Sequence, residues 1–231
     1  MALLGTHVLL ICHDFSGTDE MDFNEWYIRE HMPERVALPG FNRGRRLRSV
    51  DDGPKYLAFY EVTGAGALSS EAYLKLVRNF DPRSRQFVPR FASAARTVSV
   101  VRASTNLGDG GVIGLIGFEA DPAITQSLRE SQGAALMEDL IQHAGVTGAH
   151  LLEADEAALA HSRVGHLRKN DIILPWTLLV EAMDEAALAT VWNTLCAPGG
   201  LASFGASKVL MAGRYQMLLG LSAHSGLKAL E

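Results

Sequence analysis

Residues 7–62 read HVLLICHDFSGTDEMDFNEWYIREHMPERVALPGFNRGRRLRSVDDGPKYLAFYEV. The opening run His7–His13 is continuously β-friendly and is closed by the turn-forming Ser16-Gly17-Thr18-Asp19. Asp22 is placed to cap a helix in which Phe23, Trp26, Tyr27, His31 and Glu34 recur at helical spacing. Pro33 has no amide hydrogen and crowds the preceding turn, so a break or a new turn is predicted near His31. Leu38-Pro39-Gly40 ends the unit. Phe41–Val50 and Tyr56–Val62 then read as strands joined across Asp51-Asp52-Gly53-Pro54. Ser69 or Ser70 caps a second helix running to about Asn79, and Thr97–Ala103 is a fourth strand. The order is β-α-β-β-α-β.

The rest of the chain repeats that order. Val112–Ala120 reads as a strand, Asp121-Pro122 opens a long helix, and Gly145–Glu153 and Ile172–Ala182 read as strands. Asp184 caps a helix over Glu185–Leu195, and Lys208–Leu219 supplies the last strand. An offset of 105 lays Gly40 on Gly145 and Phe41 on Val146, a match of pattern with little identity. Each β-α-β-β-α-β unit is a ferredoxin-like split βαβ, which leaves one apolar sheet face to cover. Two such units packed sheet to sheet cover each other. The predicted fold is therefore α+β, a tandem pseudo-dimer with halves 1–105 and 106–231 and a glycine-rich link at Ser104–Gly111. The stretch Ala154–Asn170 is an insertion relative to the first half, expected to form a short helix and a loop over a cavity mouth.

Composition narrows the partners. The chain has 231 residues and a net charge of −5, which argues against a general nucleic-acid binder. Its apolar runs fall far short of the roughly 18–20 residues of a membrane span, and no leader is evident. Cys12 and Cys196 are far apart and unpaired in spacing, so a reduced cytoplasmic setting is expected. Arg43, Arg45, Arg46 and Arg48 fall within six residues. They read either as a solvated strand face or as an attractor for an anionic small molecule.

The segment Trp26–Arg35 (WYIREHMPER), followed by Pro39-Gly40-Phe41, Arg45-Arg46 and the strand Tyr56–Val62, resembles the dimeric α+β barrel superfamily, most closely its EthD-like and stress-responsive DABB branches. The resemblance covers residues 5–100 and is only topological over 110–220. It implies a cavity between each sheet and its helices. Superfamily members include small cyclases and isomerases, cofactor-free monooxygenases and haem enzymes. Offset 105 sets Ser131 opposite Trp26 and Leu136 opposite His31, so one site rather than two is expected.

His31 is the sharpest candidate for chemistry, because imidazole titrates near neutral pH and moves protons. Tyr27, four residues earlier, shares its helix face, with Trp26 at the edge. The alternative is that His31 only stabilises the helix break at Pro33. Tyr56, Ala58 and Tyr60 share one strand face; Leu57, Phe59 and Glu61 take the other. Tyr60 is assigned to orienting a substrate carbonyl, or else to the core. Arg45 is assigned to an anionic substrate group, and His13 and Asp14, at the end of strand one, to the substrate pocket or a turn cap. No metal-binding spacing is present, and no metal or cofactor is expected.

The first functional expectation is a cofactor-free enzyme of cyclase, isomerase or monooxygenase type. It would act on a small hydrophobic or aromatic carbonyl compound, with His31 as general acid–base. The second is a non-catalytic small-molecule-binding protein. The third is a haem protein using His150 or His166, with Arg163 or Arg168 near a propionate. A monomer would suffice, and a homodimer through free edge strands is the alternative.

Overall fold

The computed structural model describes residues 3–162, 171–197 and 199–223. The first half runs β1 (His7–Phe15), α1 (Glu20–Trp26), a π turn (Tyr27–His31), α2 (Met32–Val36), β2 (Phe41–Ser49), β3 (Tyr56–Val62), α3 (Glu71–Arg78), α4 (Pro82–Phe87) and β4 (Phe91–Asn106). The second runs β5 (Val112–Ala120), α5 (Pro122–Arg129), α6 (Ser131–Leu140), β6 (Val146–Ala154), α7 (Glu156–Ser162), β7 (Trp176–Ala182), α8 (Glu185–Cys196) and β8 (Ala206–Ser222). The strands close into one barrel in the order β1-β3-β2-β8-β5-β7-β6-β4, all neighbours antiparallel. Within each half the order 4-1-3-2 is that of a ferredoxin-like sheet. The two sheets join edge to edge through β2–β8 and β4–β6.

Closure has a consequence for assembly. Every strand is paired on both sides, so the free edges that the homodimer alternative relied on are used inside the chain. Among the described residues no helix is long and apolar enough to cross a membrane.

Alternation along the strands sorts side chains into three apolar clusters. Val8, Leu10, Cys12, Leu57, Phe59, Ile113, Leu115 and Leu179 fill the barrel interior. Leu9, Ile11, Ala58, Tyr60 and Val62 face outward beneath α1–α3. Ile116, Leu151, Leu178 and Val180 face outward beneath α5, α6 and α8. The turn entering β2 recurs at β6. Gly40 (φ 88°) and Gly145 (φ 80°) both take the left-handed conformation that glycine adopts at little cost. Their carbonyls accept from Thr63 and Met183 respectively. The pairings Arg43–Glu61 and Gly148–Glu181 are likewise equivalent, each following a bulge.

Several elements differ from the sequence reading. The helix after Asp121 is two helices, interrupted at Glu130 (φ −99°, ψ −103°). α4 sits where no helix was expected, capped by Asp81 with Pro82 in its first turn. β4 runs from Phe91 to Asn106, which shortens the link to Leu107–Gly111. The insertion does form a helix, α7; its Ala158 and Leu159 pack into the cluster beneath α1–α3 of the first half. The loop expected after it falls on residues 163–170, outside the described residues. Two helix caps follow the sequence, Ser70 accepting from Tyr73 N–H and Asp184 from Ala187 N–H, whereas Asp22 lies in the first turn of α1 and does not cap it. Asp184→Ala is expected to cost about 1 kcal/mol of stability, read by urea unfolding at unchanged slope.

Candidate active site

The site is built where the first helix meets the outer face of β1, β2 and β3. Pro33 cannot donate to the carbonyl four residues back, and its ring crowds that carbonyl. The chain does not break there. It widens into the π turn, closed by Met32 N–H donating to the Tyr27 carbonyl. The wider turn brings both aromatic neighbours onto the histidine. The His31 ring centroid lies 4.3 Å from that of Trp26 and 4.6 Å from that of Tyr27. Arg35 Nη1 donates to the His31 carbonyl at 2.8 Å and fixes the turn from below.

The sheet supplies the other wall. Tyr60 on β3 places its hydroxyl 3.5 Å from that of Tyr27. Burial drives the Tyr60 phenol well above its ordinary range, against the opposing charges of Arg35 and Arg46. His13, at the outward end of β1, stacks on Phe91 at 4.0 Å and lies 5.5 Å from Tyr56. His31 is 5% exposed, and Trp26, Tyr27, Tyr60 and His13 are buried at 1% or less.

Two expected members lie elsewhere. Asp14 turns away and accepts the Lys55 amide at 2.8 Å, tying the turn before β3 to β1. Arg45 points into the barrel interior. Its Nη1 donates to both Glu181 oxygens at 2.8 Å, and its Nη2 lies 3.1 Å from Glu61. The arginine beneath α1 is Arg46, which the sequence reading did not single out. Its guanidinium carbon stands 3.5 Å from the Tyr27 ring centroid and 4.3 Å from that of Tyr56. Nη2 donates to Asn24 Oδ1 at 2.8 Å, Asn24 Nδ2 donates to the Tyr56 hydroxyl at 3.0 Å, and that hydroxyl donates to Glu20.

A second polar cluster fills one end of the barrel interior. Arg43 donates to Glu61 at 2.8 Å and 3.1 Å and to Asp109 at 2.6 Å. His150 Nε2 lies 3.0 Å from Glu181, its Nδ1 lies 2.8 Å from Ser104 Oγ, and Gly110 N–H donates to Glu181 at 3.0 Å. Burial alone would raise the Glu181 carboxyl. The His150 contact and the Arg45 charge outweigh it and hold the carboxyl at about 2, against an ordinary 4.5. The folded state thus favours the ionised form, so this stabilisation is full above pH 4.5 and lost as pH falls towards about 2. Acid titration of unfolding free energy is expected to lose about 3 kcal/mol from this carboxyl across that window, a loss absent in Glu181→Gln.

Against this geometry the comparisons with known proteins can be set. No protein-family model matches the sequence, and no curated protein matches it. Solved structures do. An anthrone oxidase-like protein superposes with a TM-score of 0.65 over 98% of this chain and 96% of its own, at 11% identity. A protein named as a candidate monooxygenase from Fusobacterium nucleatum gives 0.60 over 95% and 96%, also at 11% identity. A haem-binding protein from Thermus thermophilus gives 0.51 over 95% and 93%, at 14% identity. Each is matched over nearly its whole length.

The fold is that of a dimeric α+β barrel.

In this α+β barrel the two layers between sheet and helices are unequal. Register places Leu151 and Val180 of the second half where Arg46 and Tyr60 stand in the first, and both belong to an apolar core. A cleft of about 390 Å³ opens beside the end of α8, lined by Ile116, Leu195, Cys196, Leu201, Lys208 and Ala212 among others, with no histidine. His150 faces the barrel interior with Glu181 and Ser104 at its two ring nitrogens. It therefore has no nitrogen to offer a haem in the outer layer. His166, Arg163 and Arg168 lie outside the described residues. Among the described residues, His150 is therefore not the ligand that the haem reading needs.

Proposed function

We propose that this barrel is an enzyme acting on a small hydrophobic or aromatic carbonyl compound, with His31 as general acid–base. The supporting observation is the π turn, which sets one imidazole against both Trp26 and Tyr27, with the Tyr27 hydroxyl 3.5 Å from that of Tyr60. The chemistry follows from those groups. An imidazole takes a proton from a carbon beside a carbonyl, or returns one, while a phenol kept protonated donates a hydrogen bond to the carbonyl oxygen. Burial of Tyr60 keeps its phenol protonated across the physiological range. Trp26 and Tyr27 supply flat apolar walls for a planar substrate.

The test is protein-dependent deuterium exchange. Planar aromatic ketones and diketones are incubated with the protein in heavy water and followed by proton NMR, with oxygen uptake recorded in parallel. Loss of the signal beside the carbonyl is expected with wild type. Saturable binding without exchange or oxygen uptake would instead support a small-molecule-binding protein, a reading favoured by the near-complete burial of His31.

A further inference from the structure

Arg46 is fully buried, at 0% exposure, and carries a charge with no carboxylate partner among the described residues. Its neighbours are neutral: the rings of Tyr27, Tyr56 and Phe23, and the Asn24 amide. Its Nε and Nη1 have no hydrogen-bond acceptor. Buried charges in folded proteins are paired, and an unpaired guanidinium costs stability that the sequence gains nothing from unless a ligand supplies the counter-charge. The arginines inside the barrel show the usual solution, Arg43 and Arg45 each being held by carboxylates, and the buried Arg35 donates to the His31 carbonyl. The Trp26 indole N–H, also buried, is a second donor without an acceptor around the same Tyr27 and Phe23 rings. Glu20, bonded to Tyr56, is separated from the guanidinium by that ring and by Asn24.

We infer that the first-half site binds its ligand as an anion, with Arg46 as the residue that receives a carboxylate, phenolate or enolate oxygen. The open N–H groups lie in the guanidinium plane, whose face is covered by Tyr27. The anionic oxygen therefore arrives edge-on, which suits a flat, delocalised anion. The inference rests on the proposed reading in one respect only: it puts the ligand in the same cluster as His31. An enolate left by proton removal is such an anion, so Arg46 stabilises the charge that His31 creates.

Isothermal titration calorimetry of the whole protein with benzoate and with benzamide tests this without turnover. The two probes share shape and differ in charge. Wild type is expected to prefer benzoate by about tenfold or more, the size of a hydrogen bond to a charged group. Arg46→Met is expected to abolish that preference and, with no ligand present, to unfold at the same temperature as wild type or higher. Equal affinity for the two probes in wild type, no saturable benzoate binding, or an unchanged preference in Arg46→Met would each overturn the inference. If Arg46→Met does not fold, Arg46→Lys decides. Its single ammonium is expected to lower the preference several-fold, and an unchanged preference counts against. His31→Ala should keep the benzoate preference while losing exchange activity, which separates failure of this inference from failure of the acid–base reading.

Discussion

His31→Ala is expected to lower turnover of the deuterium-exchange substrate by about 10²–10⁴-fold, the usual size of general acid–base catalysis. The loss should fall on kcat and kcat/KM together, because the imidazole matters to the transition state more than to ground-state binding. The side chain also packs between Trp26 and Tyr27, so truncation alone disturbs the walls. His31→Gln keeps most of the volume and a polar end but cannot take up a proton. It should therefore be as inactive as His31→Ala while binding substrate like wild type. An active His31→Gln variant would return His31 to a role in supporting the turn at Pro33.

Glu181→Ala should be the most destabilising single substitution in the barrel, by about 3–5 kcal/mol in urea unfolding. Glu181 is fully buried and is shared by Arg45, His150 and the Gly110 amide. Removing it takes from Arg45 the carboxylate it holds with Nη1 and leaves it Glu61, which Arg43 already shares. Replacing both members of the pair, Arg45→Met with Glu181→Leu, should cost much less than Glu181→Ala, because no charge is then left without a partner. A double variant as unstable as the single one would show that the network stabilises the fold by more than neutralising its own charges.

The strand order and most boundaries were legible because alternation, turn glycines and cap residues report local chemistry. β3 and β5 were read to the residue. His31, Tyr27, Trp26 and Tyr60 were legible and lie together, while His13 packs beside them on Phe23, Tyr56 and Phe91. The arginine was not legible, for a definite reason. Strict alternation from Phe41, which faces the helices, puts Arg43 and Arg45 on the same side as Phe41. A bulge between Phe41 and Arg43 shifts the phase by one, sending Arg43 and Arg45 inward and Arg46 outward. A bulge is a non-local compromise between two paired strands, and its only sequence trace here is the run of four arginines itself. The π turn was hidden for the opposite reason. Proline signals that a helix cannot continue unchanged, but packing decides whether it ends or widens.

The repeated pairing of Arg43–Glu61 with Gly148–Glu181 places His150 at the position of Arg45. The interior network thus repeats its carboxylate but not its cations, Gly148 and His150 standing where Arg43 and Arg45 stand. Two copies of the first half would bring four arginines to two carboxylates, whereas two copies of the second would bring two carboxylates together with only imidazoles beside them. Fragments of a chain cut at Leu107–Gly111 would consequently pair by charge: neither half matches itself, and one first half with one second half brings Arg43 and Arg45 to Glu61 and Glu181.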